Sequence, residues 1–497
     1  MFAARRPPTM NYLLLTGSTG LLGRYLLRNL LVEDRPVAVV VRAGKRATAL
    51  ERVEAVMAHW EQVEQRSLPR PVVFEGDITQ VGLGLATSAR HWVRENCHAV
   101  LHSAASMTFR EDKRGEPFRT NIEGTRNLVE FCREVGLRQF HHVSTAYLCG
   151  LRTGRVLETE LDLGQPLGNV YEKSKLEAEK LIRAAPHFDQ KTFYRPASIV
   201  GDSRTGYVTS FHGFYLPLQL AYTFSNQIPP DQMNERFLAQ LGLSGAEGKN
   251  FVPVDWVAAI ISYFVTHPEH HGGTYHVAAP STVSATLFQR VVRDALAQFS
   301  NKPIPPPASA EDLAALEHLF REAMSIYRSH WRDDPQFDLT NTPRAAPHLP
   351  CPEMDYDLLM RVSRFPIENN FTAKKHEEIQ LAFNSHEHLK RWIAEQGTTP
   401  AAPASATAPS AVSLQITGPG GGPWHLDTDG ARIAAAHPGL AADSADAIRL
   451  NTGTLAALAG GTLTVEQSLR SGRVVLCARE RTRAELQNIL SQIAVTA

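Results

Sequence analysis

Tyr171 and Lys175 stand four residues apart in VYEKSKLEAEK, a good helical pattern, so one turn puts both on the same face. A phenol with a reference pKa near ~10 is a poor acid–base group at neutral pH. An adjacent ammonium favours the phenolate. A tyrosine tuned in this way can give a proton to a carbonyl oxygen or take one back. Lys173, two residues from Tyr171, points elsewhere. The same spacing occurs in helices that do no chemistry. Here it gains weight from Ser144 and Thr145 at the end of the strand-like HHVSTAYL, where either hydroxyl could hold a substrate oxygen and stabilise developing charge. Asn121 opens NIEGTRNLVEFC; its amide could organise a water near the lysine or cap its helix by accepting a backbone N–H.

A second group of residues suits a phosphate. Gly17, Gly20 and Gly23 lie in TGSTGLLG, between an apolar strand and an amphipathic helix. A helix N-terminus carries unpaired N–H groups and the positive end of the peptide dipoles, so it can receive a pyrophosphate. Gly17 permits the turn, Gly20 the close approach and Gly23 the helix–sheet contact. The expected cradle is Thr16, Gly17, Ser18, Thr19, Gly20, Leu21, Leu22 and Gly23. At the end of the second strand, in VVVRAGKR, Arg42 occupies the position where an acid often meets a free ribose hydroxyl. A cation there, with Lys45 and Arg46 nearby, suits a 2′-phosphate, so NADPH (NADP+) is favoured over NADH. Asp77 and Ile78 in EGDIT are placed to meet the adenine, and Ser103, Ala104 and Ala105 in SAAS to pass beneath the dinucleotide.

Positioning these groups requires strands alternating with helices. NYLLLTG, VAVVVR, PVVFEGD, HAVLHSAA, HHVSTAYL and TFYRPASIV read as strands, and GLLGRYLLRNLLVE and residues 46–66 as helices. The expected class is therefore α/β, a Rossmann-type, mostly parallel sheet covered on both faces. After about residue 200 aromatic-rich segments and Pro-rich breaks replace the alternation, and TYHVAA (274–279) is expected to return to the first lobe. Residues 11–280 are assigned to the nucleotide-binding core with part of a substrate lobe, and 281–395 to a mainly helical substrate-side region. The aromatics Tyr207, Phe211, Phe214, Tyr215, Tyr222 and Phe224 fit a greasy groove and, equally, ordinary helix packing. QGTTPAAPASATAPSA (396–411) has no charge and reads as a linker, leaving a small α+β domain at 412–497.

Composition narrows the rest. The 497 residues imply about two to four domains. Lys+Arg 51 and Asp+Glu 51 cancel, so no net positive field would hold nucleic acid. Five scattered cysteines make neither a disulfide scaffold nor a CxxC metal pair, so the cytoplasm is the expected compartment and no metal ligand set is assigned. No apolar run reaches spanning length, and MFAARRPPTM lacks the apolar core of a secretory signal. Peripheral contact with a membrane stays open, as does the oligomeric state.

Taken together, TGSTGLLG, VLHSAASMTF, HHVSTAYLCG, YEKSKLEAE, YRPASIVGDSRTG and NFVPVDWVA resemble the extended short-chain dehydrogenase/reductase superfamily, and within it the fatty acyl-CoA reductase and thioester reductase branch. The resemblance covers roughly residues 11–280. It implies that Tyr171 and Lys175 are catalytic and that the strand-end hydroxyl is best matched by Thr145, with Ser144 its neighbour. It implies that RPASIVGD, including Arg195, Pro196, Ser198 and Ile199, runs past the nicotinamide, and that Asp255 ties the substrate lobe to the core. It further implies NADPH-dependent reduction of an acyl thioester, carried on coenzyme A or an acyl carrier protein, to aldehyde or alcohol. Cys149 needs no covalent role in that scheme. The tail, with WHLDTDG and ADAIRLNTGTLAALAGGTLTVEQSLRSGRVVLCA, resembles a sterol carrier protein-type lipid-binding domain and implies a hydrophobic acyl or sterol-like substrate; its alternative role is assembly. The remaining alternatives are a 3β-hydroxysteroid-type or other ketone/alcohol dehydrogenase, an epimerase, and a non-catalytic NADPH-sensing or lipid-transfer scaffold.

Overall fold

The computed structural model of the chain describes residues 12–233, 239–372, 383–395, 410–418, 420–429, 432–439, 446–477 and 483–494. The N-terminal decapeptide and most of the expected linker lie outside the described residues.

Seven strands form the main sheet: β1 (Tyr12–Thr16), β2 (Val37–Val41), β3 (Val72–Glu75), β4 (Cys97–His102), β5 (Gln139–Val143), β6 (Gln190–Pro196) and β7 (Thr274–Val277). Their order is β7-β6-β5-β4-β1-β2-β3, and every pairing is parallel. The helices between them are α1 (Leu21–Val32), α2 (Ala49–Glu64), α3 (Thr87–Asn96), α4 (Gly124–Val135) and α5 (Val170–Ala184). Side chains along a strand alternate between faces, and here both faces are apolar. Leu13, Leu15, Val37, Val39 and Val41 pack against Leu26, Leu27 and Leu30 of α1 and Trp60 of α2. Tyr12, Leu14, Ala38 and Val40 pack against Val93 of α3, Leu128 and Phe131 of α4, and Ile182 of α5. Each such fully buried aliphatic side chain contributes roughly 1.5–3 kcal/mol. Local signals agree with this packing: Thr48 and Glu51 close a capping box at the start of α2, and Asn169 caps α5 by accepting from the Glu172 amide.

The region expected to form the substrate lobe contains α6 (Tyr215–Phe224), α7 (Val254–Thr266), α8 (Ala285–Phe299), α9 (Ala310–Met324) and α10 (Tyr356–Glu368). Helix α7 is part of the main core, where Val257, Ile260, Ile261 and Phe264 join α1. A separate core gathers Phe214, Leu218, Phe251, Phe288, Phe320 and Leu359. TFYRPASIV breaks after Pro196: Ser198–Val200 pairs with Phe251–Pro253 rather than continuing the main sheet.

Past the linker, β8 (Ser410–Thr417), β9 (Gly422–Asp429), β10 (Arg432–Pro438), β11 (Asp446–Asn451) and β12 (Val474–Cys477) make a second sheet of order β10-β9-β8-β11-β12. The helix α11 (Ser385–Glu395), numbered with the substrate-side region above, buries Leu389 and Trp392 in the core of this tail unit instead. There it meets α12 (Thr452–Ala459), α13 (Val465–Arg470) and α14 (Arg483–Ala494). The tail touches the main sheet at the amino ends of its strands. Asn451 donates to the carbonyl of Leu68, ahead of β3, and Arg473 pairs with Asp34, ahead of β2, at 2.6 Å. Val475 packs with Tyr12, the first residue of β1.

Candidate active site

At the opposite, carboxyl edge of the main sheet two neighbouring cavities open. The first, about 210 Å³, is lined by Thr16, Gly17, Ser18, Thr19, Gly20, Arg42, Ile78, Ser103, Ala104 and Ala105, with Arg52, Gly76 and Thr120. Its floor is glycine because nothing larger fits. Gly17 has φ +78°, and a Cβ there would lie 2.6 Å from the Ala104 nitrogen. A Cβ on Gly23 would sit 2.0 Å from the Gly17 carbonyl oxygen. Gly20 caps α1 without a side-chain hydrogen bond, and no acid occupies the first turn, so the helix amides face the cavity uncompensated. This cradle fits a pyrophosphate.

Two guanidinium groups stand at the end of β2. Arg42 is 61% exposed and lies 3.9 Å from Asp77. Arg52, which sequence reasoning missed, donates to the Arg42 carbonyl at 2.6 Å and to the Thr19 hydroxyl at 3.1 Å. It sits one turn inside α2, and no motif marks it. Lys45 is exposed and Asp77 half-buried; neither lines the two cavities, although Asp77 caps its own turn by accepting from the Thr79 amide.

The second cavity, about 330 Å³, adjoins the glycine loop and is lined by Leu21, Leu22, Ser144, Thr145, Tyr171, Lys175, Pro196, Ser198 and Ile199 among others. Tyr171 is buried, and its ring stacks on Phe109 at 5.7 Å. Burial raises the phenol pKa well above its usual value, a hydrogen bond with Thr145 opposes the rise, and Glu172 adds to it. The free protein therefore carries a neutral phenol. Lys175 Nζ donates to the Val143 carbonyl at 2.7 Å and lies 3.5 Å from His142 Nε2. Burial lowers its pKa to about 8, with Glu179 pulling it back up. Beneath it, burial and Lys175 hold His102 near 3, and His142 is likewise held well below its usual value, so both imidazoles are neutral.

The two strand-end hydroxyls separate. Thr145 accepts from the Tyr147 amide at 3.2 Å and bonds Tyr171, whereas Ser144 donates to Glu179 at 2.7 Å. Burial would raise Glu179, but the guanidinium groups of Arg195 and Arg183 hold it low. Arg195 is thus engaged behind the site: it bonds Glu179 and the Glu158 and Glu160 carbonyls and lines neither cavity. Asn121 also stays outside both. Its amide accepts from the Ser106 nitrogen at 2.8 Å and donates to Ser174 at 2.8 Å, tying the loop after β4 to α5. Asp255 bonds the Ser203 amide and hydroxyl at 2.8 and 2.6 Å, fastening the loop after Val200 to α7.

Three further groups face the second cavity. Glu172, next to Tyr171, is buried, and that burial raises its carboxyl to about 7 against hydrogen bonds from Gly168 and Asn169. His330 arrives from the substrate lobe with Nε2 buried and unpartnered, its ring 5.8 Å from Phe109. Met107 and Phe109 supply an apolar wall. None of Tyr207, Phe211, Phe214, Tyr215, Tyr222 and Phe224 lines this cavity, although His212 between them does. Tyr207 stacks on His59, Phe214 and Tyr215 are core, and Phe224 lines a separate apolar pocket of about 50 Å³. Cys149 is buried and its thiol pushed up to about 12, a neutral group.

With this geometry in hand, comparison with known proteins is specific. Residues 15–261 match the family profile described as Male sterility protein. Fatty acyl-CoA reductase wat of Drosophila melanogaster is 27% identical over 237 residues, 40% of this chain and 45% of that protein. Non-canonical nonribosomal peptide synthetase FrzA of Cladobotryum sp is 26% identical over 392 residues, 71% of this chain and 36% of that protein. The chain thus spans less than half the length of these curated relatives. The terminal R domain from the myxalamid PKS-NRPS biosynthetic pathway shares the fold with TM-score 0.57 and 23% identity, over 75% of this chain and 94% of that one. A thiolation-reductase di-domain from an archaeal non-ribosomal peptide synthetase does so with TM-score 0.52 and 21% identity, over 73% and 76%. Among the described residues no helix is long and apolar enough to cross a membrane. Residues 15–261, which carry the glycine cradle, Thr145, Tyr171 and Lys175, are similar to the male sterility protein family, and the parallel sheet around them is the Rossmann-like fold of these structural neighbours.

Proposed function

We propose that this protein uses NADPH to reduce a hydrophobic acyl thioester, presented on coenzyme A or a carrier protein, to an aldehyde. The observation that carries the proposal is that one cavity is lined by Tyr171, Thr145 and Lys175 together with Gly17, Gly20 and Gly23 of the glycine loop and with the apolar Met107 and Phe109. The names of the relatives, a fatty acyl-CoA reductase and peptide and polyketide synthases, support a thioester. Arg42 and Arg52 support a 2′-phosphate.

When bound, the reduced nicotinamide supplies the hydride. The remaining work falls to the chain. Thr145 orients the phenol and offers its hydroxyl to the carbonyl oxygen. Tyr171, neutral in the free protein, gives its proton to that oxygen as the carbon becomes tetrahedral. The resulting hemithioacetal then collapses to the aldehyde, its hydroxyl proton returning to the Tyr171 phenolate while the sulfur leaves as thiolate. Lys175, anchored to Val143, restores the phenol's environment and holds the ribose. The apolar wall excludes water from the reacting carbon. The tail, which resembles a sterol carrier domain, is proposed to bind the lipid portion of substrate or product. Its contacts at the amino edge of the main sheet separate it from the mouth of the site, so lipid would pass through solvent or along the surface.

The test is to incubate the protein with NADPH and a panel of acyl-CoAs, carrier-bound acyl groups, aldehydes and a ketosteroid, and identify products by mass. Aldehyde from a thioester supports the reading. Turnover of the ketosteroid alone would replace it with the dehydrogenase alternative.

A further inference from the structure

No metal-ligand spacing marks this chain's sequence, but the tail folds three ligand-type side chains together. In β9, His425 and Asp427 are two residues apart and so share a face. Trp424, Leu426 and Thr428 point the other way, exposed by no more than 1%. The antiparallel pairing of β9 with β10 sets His437 directly opposite His425. His425 Nε2 lies 3.1 Å from one Asp427 carboxylate oxygen and His437 Nε2 lies 3.2 Å from the other. The imidazole rings are 5.1 Å apart, and one ligand atom from each of the three residues lies within 4.8 Å of the other two. All three side chains are partly open to solvent, and small residues, Ala435 and Ala411, stand opposite Asp427 on the flanking strands.

These spacings suit a metal. Bonds of ~2.0–2.2 Å to nitrogen and carboxylate oxygen put tetrahedral ligand atoms roughly 3.3–3.5 Å apart. Both imidazoles already aim Nε2 at the same carboxylate, so an ion placed between them requires little movement of the side chains. Two imidazoles and a carboxylate select late first-row divalent ions over magnesium or calcium, which prefer oxygen sets. Strand β10 is the edge of the five-stranded sheet; among the described residues it pairs with β9 on one side and packs on helix α14. We propose that His425, Asp427 and His437 bind one zinc-class divalent ion, with water completing its shell, and that this ion clips the edge strand β10 to β9.

The proposal is independent of the reductase reading, and its test needs no turnover. Full-length protein stripped with chelator and dialysed is titrated calorimetrically with zinc chloride, with amide hydrogen exchange followed across residues 432–438. Binding of about one ion per chain is expected, weakened at least about tenfold by Asp427→Asn and by His437→Asn. Exchange in β10 should slow on adding zinc in the parent protein and not in either variant. Since the three side chains are partly exposed, both variants should keep the parent's far-UV spectrum. Absence of binding, or equal affinity in parent and variants, which would assign the ion to other histidines, overturns the site. Binding with unchanged exchange in β10 overturns the clip.

Discussion

The two sheets of this molecule expose chemistry in different places. In the parallel sheet both faces are buried under helices, so polar groups can act only where strands end; the cradle, Thr145 and the mouth of the cavity all lie on the carboxyl edge. In the mixed sheet of the tail one face is packed on helices, and at the β9–β10 end the other is partly open, so polar side chains line up there, as His425, Asp427 and His437 do. The difference follows from topology. Parallel strands need crossovers that cover the sheet, while hairpins leave a face free. Where covering is complete, polar groups beneath it must be paired or neutral. The histidines His102 and His142 are neutral, and Glu179 is held by Arg183 and Arg195.

That contrast can be broken at several points. The largest effect is expected at the cradle, where Gly23→Ala forces a Cβ onto the Gly17 carbonyl. Displacing this loop by about an ångström should lower cofactor affinity by about 100-fold or more, read by fluorescence titration. An affinity within threefold of the parent would show that the loop can yield. Next comes pH. Lys175 has its pKa lowered to about 8 by burial, so its positive charge is lost as pH rises through that value. Then kcat/KM should fall about tenfold per unit above about pH 8, and Lys175→Arg should remove this limb, since a guanidinium stays charged. The stability effect has the opposite sign. The folded state binds fewer protons than the unfolded between about 8 and ~10.4, so this residue's contribution to stability increases across that window.

A smaller effect tests the end of β2. Arg42→Ala or Arg52→Ala should shift the ratio of KM for NADPH to that for NADH by about tenfold towards NADH, the value of one charge-assisted bond. An unchanged ratio in both would remove the 2′-phosphate assignment. Smallest is the contact between the units. Asp34 is 44% exposed and Arg473 27%, so Asp34→Ala should cost less than about 1 kcal/mol in a thermal melt and leave reductase turnover as it was. A larger loss of turnover would mean that the amino edge communicates with the carboxyl edge.

What could be read from the sequence was local. TGSTGLLG and Tyr171–Lys175 are short spacings whose meaning survives any tertiary arrangement, and the alternation of strands and helices sets the parallel sheet. The rest depends on long-range contacts. Ser144 and Thr145 are adjacent, yet only the burial of Glu179 beneath the sheet turns one away from the phenol. Arg195 lies in a matched motif but answers to that same carboxylate. Arg52, His330 and Phe109 reach the cavities from other elements, and no spacing announces them. In the tail, β10 (RIAAAHP) carries no strand signal of its own, because alanines have little strand preference, and pairing with β9 overrides that. Helix α11 fell on the wrong side of an apparent boundary because its apolar face, Leu389 and Trp392, is claimed by a core that forms later in the chain.

The central claim is that Tyr171 delivers the proton to the carbonyl oxygen. It is tested most directly by single-turnover reduction of an acyl thioester by Tyr171→Phe with NADPH affinity measured alongside. The account requires a rate lowered by about 10²–10⁴ with cofactor affinity within a few fold of the parent. A variant that reduces the thioester at the parent's rate would contradict it.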